Sequence, residues 1–192
     1  MRASASPLLP LLRSRLQGEL LARVLLGSTP ISIADLARDL TAPLPTVARE
    51  VSRLREGGLL VVDKQGRAQL VSANETNPAT EPLRQLIAVT FGPRQVVPEE
   101  FGDLSGLGEL YIFGSWAARY EGEWGSVPGD VDVLVVGPVD RDDVYDAAER
   151  AARRLWREVN ATVVSWQRWS AQDDPFLSEV RRRPLLKLSS GE

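Results

Sequence analysis

The chain has 192 residues and a formal net charge of -3, and it contains neither histidine nor cysteine. Those absences exclude an imidazole base, a Ser-His-Asp triad, a thiolate nucleophile, a disulfide and zinc held by nitrogen or sulfur; any metal must be bound through oxygen, as Mg²⁺, Mn²⁺ and Ca²⁺ are. Residues 1–92 carry 11 basic and 8 acidic side chains, net +3, whereas residues 93–192 carry 12 and 18, net -6, which is the pattern of a basic module for polyanions joined to an acidic one. All twelve aromatic residues fall between Phe91 and Phe176, so the two halves also have different cores. The stretch from Met1 to Leu12 is interrupted by Pro7 and Pro10 and lacks a cleavage site, and no segment approaches the roughly 20 apolar residues of a membrane span. The expectation is a soluble, cytoplasmic protein.

In chain order, Leu16, Leu20 and Val24, with Leu21 and Leu25, recur at helical spacing up to Gly27. Ser32 to Asp35 reads as a variant capping box opening a short helix through Leu40, with Ile33, Leu36, Ala37 and Leu40 on its apolar face. After a tight turn at Thr41-Ala42-Pro43, a helix beginning near Pro45 places Val47, Val51 and Leu54 inward and stops at Gly57-Gly58. Leu59–Val62 and Ala68–Val71 then form a hairpin, with Asp63-Lys64-Gln65-Gly66 as the expected turn. Asn77 with Pro78 is placed to cap a helix carrying Leu83, Leu86, Ile87 and Val89. Gly92-Pro93 and the turn-rich Val97-Pro98-Glu99-Glu100 mark a linker over 93–107.

Helix, short helix, turn, helix and hairpin is the order of a winged helix-turn-helix. The segments from Ile33 to Leu40 and from Leu44 to Leu60 resemble the ArsR-like transcription regulators. That resemblance implies that the second helix of the pair reads the major groove of double-stranded DNA and that the hairpin touches its backbone or minor groove. Thr46, Arg49, Ser52 and Arg53 form the outward face of that helix, two cations and two hydroxyls suited to phosphates and base edges, and Lys64 and Arg67 stand at the wing tip. The resemblance further implies a two-fold homodimer through the helix near 79–91. The competing reading is that these are ordinary solvated side chains and that the last helix packs within its own chain.

In the second half, Glu109–Phe113 is a short strand that passes through Gly114-Ser115 into the helical Trp116–Tyr120. Such a turn presents free backbone N–H groups, and Gly114 and Ser115 are read as a phosphate cradle. Asp130 and Asp132 open an otherwise apolar strand on one face. Two carboxylates held that close repel each other and lose hydration, costs that a divalent cation removes. The alternative is a pair of solvated carboxylates at a strand end.

Phe113-Gly114-Ser115, followed after fourteen residues by Asp130-Val131-Asp132-Val133, resembles the signature of the DNA polymerase β nucleotidyltransferase superfamily and its minimal members, over roughly 108–190. The resemblance implies that Gly114 and Ser115 bind a nucleoside triphosphate and that Asp130 and Asp132 hold Mg²⁺ or Mn²⁺ against its phosphates. The family's third carboxylate falls on Asn160, which can ligate weakly but cannot act as a base; Glu158, two residues earlier, is the candidate substitute. Arg181-Arg182-Arg183 either steers triphosphate or ends a solvated helix, and the five tryptophans are expected to pack in the core or between domains. The fold expected is a mixed α+β chain: a winged helix-turn-helix over 1–92, a linker over 93–107, and a small α/β nucleotidyltransferase-like domain with a mixed sheet over 108–192. Three functions remain open on the sequence. The chain is a DNA-binding regulator that senses NTP·Mg²⁺ or transfers a nucleotidyl group; or an active nucleotidyltransferase that modifies a protein or RNA, as in toxin-antitoxin pairs, with the winged helix as adaptor; or a regulator whose second domain is a degenerate scaffold.

Overall fold

A computed structural model describes residues 12–188 apart from 28, 124, 126 and 172. The residues of the proline-interrupted start up to position 11, and Trp124, therefore lie outside the described part. The chain divides into two compact units, 1–92 and 93–192, in an α/β fold with two separate sheets. Among the described residues no helix is long and apolar enough to cross a membrane.

The first unit begins with α1 (Arg15–Leu25), whose Ser14 side chain caps the Gln17 N–H, and with the two-residue β1 (Ile31–Ser32). Ser32 then caps α2 (Ile33–Asp39): its hydroxyl accepts from Asp35 N–H at 3.0 Å and donates to the Asp35 carboxylate at 2.6 Å. Leu36 and Ala37 bury the inner face, and Thr41 takes the left-handed conformation that turns the chain toward α3 (Leu44–Glu56). Val47, Val51 and Leu54 line the buried side of α3 at the helical repeat, each worth about 1.5–3 kcal/mol on burial. The helix stops in a Schellman motif: Gly58 has φ +73°, its N–H reaches Arg55 O and the Leu59 N–H reaches Leu54 O, both at 2.9 Å.

The hairpin is longer than its composition suggests, because β2 (Leu60–Gln65) and β3 (Ala68–Ala73) pair from Leu60↔Ala73 to Gln65↔Ala68. The turn is Gly66-Arg67 rather than the four residues from Asp63, and Gly66 (φ +62°) supplies the positive φ that a two-residue connection requires. β1 adds antiparallel to β3, giving the order β1-β3-β2. Asn77 works in two directions: its Oδ1 accepts from the Ala79 N–H at 2.9 Å, in the turn that leads into α4 (Thr80–Phe91), while its amide donates to Gly58 O at 2.9 Å. α4 lies against α1, burying Ile87, and leaves Leu86 and Val89 exposed.

The second unit starts at once, without a linker. Residues Pro93–Phe101 form α5, with Val96, Val97 and Phe101 buried despite Pro98 inside the helix. Its partner is α7 (Arg141–Leu155), and carboxylate-guanidinium pairs join the two: Arg150 to Glu100 at 2.9 Å, Arg154 to Glu100 at 2.6 Å and to Glu99 at 2.5 Å. β4 (Glu109–Phe113) and β5 (Asp130–Val136) run antiparallel, with the short α6 (Gly114–Tyr120) between them. β6 (Glu158–Val164) lies parallel to β5 after the α7 crossover. After α8 (Trp166–Ser170) and α9 (Pro175–Arg182), β7 (Leu185–Leu188) closes the other side in the order β6-β5-β4-β7. Both faces of β5 are covered, as its continuous apolar run requires. Leu134 and Val136 meet Tyr111, Val164, and Leu177 and Val180 of α9, whereas Val131, Val133 and Val135 are buried on the α7 side.

Candidate functional site

On α3, Thr46, Arg49 and Arg53 are exposed and Ser52 is half-buried. The side chains on this face differ in their freedom. Ser52 donates to Glu56 at 3.1 Å and Arg53 makes a long 3.5 Å pair with the nearly buried Glu50, which also accepts from Gln17 at 2.8 Å. Arg49 has no carboxylate partner among the described residues, and neither do Lys64 and Arg67 at the exposed end of the wing.

The second cluster forms where β4, β5 and β6 meet. The register sets Phe113 opposite Asp132, Asp132 opposite Asn160 and Asp130 opposite Glu158. Asp130 and Asp132 continue the Leu134/Val136 side of β5 beyond the end of the core, so Asp130 is exposed and Asp132 half-buried. Gly114 sits against them: its φ is +68°, and a Cβ there would stand 2.6 Å from Asp132 Oδ2. Two independent constraints, the left-handed backbone and the neighbouring carboxylate, therefore require glycine at this position. Ser115 is exposed at the first turn of α6.

Burial raises the Asp132 carboxyl above its usual range, the adjacent Asp130 charge raises it further, and the Asn160 amide offsets part of the effect. Asn160 Nδ2 donates to Asp130 Oδ2 at 3.0 Å. The residue at the place of the third carboxylate is thus within reach of the pair, yet it brings a neutral amide. Glu158 is exposed at the start of β6, and among the described residues no group of three carboxylates is close enough to hold a metal by itself. Two carboxylates with no salt-bridging cation among the described residues fit a divalent ion that draws its remaining ligands from water and phosphate, the usual habit of Mg²⁺.

No protein-family model matches the chain, and no curated protein matches it. Among solved structures it is similar to a homodimeric winged helix-turn-helix DNA-binding domain from Mycobacterium bovis, described as a possible ArsR-family transcriptional regulator. That likeness covers 46% of this chain and 88% of that one at 18% identity and a TM-score of 0.34.

Other sequence candidates have structural employment. Arg181 donates to Ala171 O and Trp169 O and stacks over the Trp169 ring, with its guanidinium 4.6 Å from the ring centre. Arg182 and Arg183 both pair with Glu179 at the end of α9, and Leu185, just beyond them, pairs with Phe113, the strand neighbour of Asp132. Trp116 is buried and Trp169 packs against the second core, but Trp166 is 45% exposed, its ring lying over Gly108. Sequence reasoning missed the role of Glu109. It accepts from Tyr111 at 2.7 Å, from Trp169 Nε1 at 3.0 Å and from Lys187, and these partners hold its carboxyl below the usual range. Only the alternation of Glu109 with Tyr111 hinted at it.

Proposed function

We propose that the chain is a DNA-binding transcriptional regulator whose second unit binds a nucleoside triphosphate together with Mg²⁺ or Mn²⁺. The DNA-binding half is carried by the positive surface of the first unit. Arg49, Lys64 and Arg67 hold exposed charges that no carboxylate of the described residues neutralises, on the helix after the turn and at the wing tip. Arginine and lysine so placed meet phosphates, while Thr46, Ser52 and Arg53 offer hydrogen bonds to base edges. The exposed Leu86 and Val89 on α4 support a two-fold dimer that reads two half-sites. The test is fluorescence anisotropy with duplex DNA over a salt titration. Binding weakens with salt, and Arg49→Ala or Lys64→Ala each lowers the slope of log K against log salt by about 1. An anisotropy that stays flat at low salt refutes the reading.

For the second unit, Asp130 and Asp132 would hold the metal and Gly114-Ser115 the phosphates, with Asn160 as a neutral neighbour. The metal supplies charge neutralisation at the phosphates. Nearby, Gly114 lets the backbone approach the ligand, and the exposed Ser115 hydroxyl offers a hydrogen bond to it. With an amide in place of a third carboxylate, the cluster supports sensing over transfer. Triphosphate with Mg²⁺ at 100 times Kd should raise stability by about 2.7 kcal/mol, and Asp130→Ala should remove that gain. Transfer of label from an NTP to a protein or RNA, abolished by Asp132→Asn, would instead establish an active transferase.

A further inference from the structure

The second sheet has two edges of opposite character. β7 is four residues long, follows Pro184 and exposes Lys187, all devices that discourage an edge from pairing. β6 has seven residues, among them three valines and a threonine, without proline, glycine or lysine, and no strand lies on its outer side among the described residues. Beside this open edge runs a groove of about 600 Å³, floored by Val159, Ala161 and Val163 and walled by Tyr145, Ala148 and Ala152 of α7. Tyr145 is 65% exposed over it.

Charge identifies the occupant. α7 runs back along β6, so the groove has Arg141 at one end and Glu149 and Glu158 at the other; Arg168, beside Arg141, is already neutralised by Asp174 at 2.6 Å. Arg141 has no carboxylate partner among the described residues, and Glu149 makes only a 3.4 Å pair with Arg153. A surface that is positive at one end and negative at the other complements its own copy turned by half a revolution. Arg141 and Glu149 are also equally spaced on either side of Tyr145 in the sequence.

We propose that β6 pairs antiparallel with β6 of a second copy about a two-fold axis at Ala161 and Tyr145, joining the two sheets into one of eight strands. The operation sets Val159 against Val163 and Asn160 against Thr162 along the strands, and Arg141 of each copy against Glu149 of the other along the helices. The outward N–H and C=O groups of β6 gain partners, and the groove fills with the second copy's valines. A parallel arrangement would place like charges together. An unrelated extended peptide would need its own matching dipole, which a second copy already has.

The absence of cysteine makes the test direct. Tyr145→Cys in the 192-residue chain, oxidised at low micromolar concentration, should form a disulfide-linked dimer at least tenfold faster than Ser105→Cys, an exposed control in the same unit. By sedimentation, Arg141→Glu and Glu149→Arg should each shift the chain toward a smaller species, and an equimolar mixture of the two should restore the larger one. Leu86→Cys reports separately on association through α4. Cross-linking of Tyr145→Cys no faster than the control, or a mixture that stays in the smaller species, overturns the proposal, including the case in which Leu86→Cys alone cross-links.

Discussion

Gly114→Ala tests whether the carboxylate cluster is a built site, because it adds one carbon at the point of closest approach. The left-handed φ of +68° costs a non-glycine residue about 1–2 kcal/mol. The new Cβ would also meet Asp132 Oδ2 at 2.6 Å, whereas ordinary contact begins near 3.4 Å, so the carboxylate must retreat by the difference, about 0.8 Å. Shifts of that size disable sites that depend on a fixed geometry. Gly129→Ala is the matched control, since a Cβ there meets nothing within 4 Å and the backbone carries no positive φ. Urea unfolding should show Gly114→Ala less stable by about 1–2 kcal/mol and Gly129→Ala close to the parent. A thermal-shift titration with ATP and Mn²⁺ should lose its response in Gly114→Ala and keep it in Gly129→Ala. Indistinguishable behaviour of the two variants in both assays would refute the reasoning.

Two predictions concern how the second unit is held. Burial alone would raise the Glu100 carboxyl, but hydrogen bonds from Arg154 and Arg150 outweigh it and hold the group below its ordinary value of 4.5. A depressed folded value stabilises the protein above the ordinary value, and the contribution fades as pH falls through the folded value. Urea midpoints of the parent and Glu100→Gln should therefore differ at pH 7 and converge below about pH 4.5; a gap that persists unchanged to pH 3 contradicts the assignment. At the start of α7, the Asp140 carboxylate accepts from Asp142 N–H at 2.8 Å and Asp143 N–H at 3.4 Å, so Asp140→Ala should cost about 1 kcal/mol by denaturant titration. Asp140→Asn, which keeps the acceptor, should cost less.

Local signals were legible wherever neighbours in sequence settle the backbone. Ser32 with Asp35 announced a helix start, and Gly57-Gly58 announced a stop that the structure resolves into a Schellman motif. The Glu109–Phe113 strand ran into its glycine as expected. Segments whose competing local preferences are close were read wrongly. Pro93 to Glu100 has the composition of a linker, yet it is helical because Val96, Val97 and Phe101 find burial and Glu99 and Glu100 find Arg150 and Arg154, fifty or more residues away. Asn77 accepts from the Ala79 N–H ahead of α4 but also reaches Gly58 across the chain, and the wing turn moved to Gly66-Arg67 because cross-strand register set it.

The sequence alone determined the chemistry open to the protein: without histidine or cysteine, a metal must be held through oxygen, and amides can ligate it but cannot act as acid or base. It also determined that Asp130 and Asp132 share a face, since alternation along a strand is a local property. Only the tertiary structure decided what stands beside them. Strand register brought Asn160 from β6 to 3.0 Å from Asp130, and a left-handed turn brought Gly114 from the end of β4 against Asp132. It also left β6 as an open edge, because which strands lie outermost depends on the packing of the whole sheet and on no short stretch of sequence.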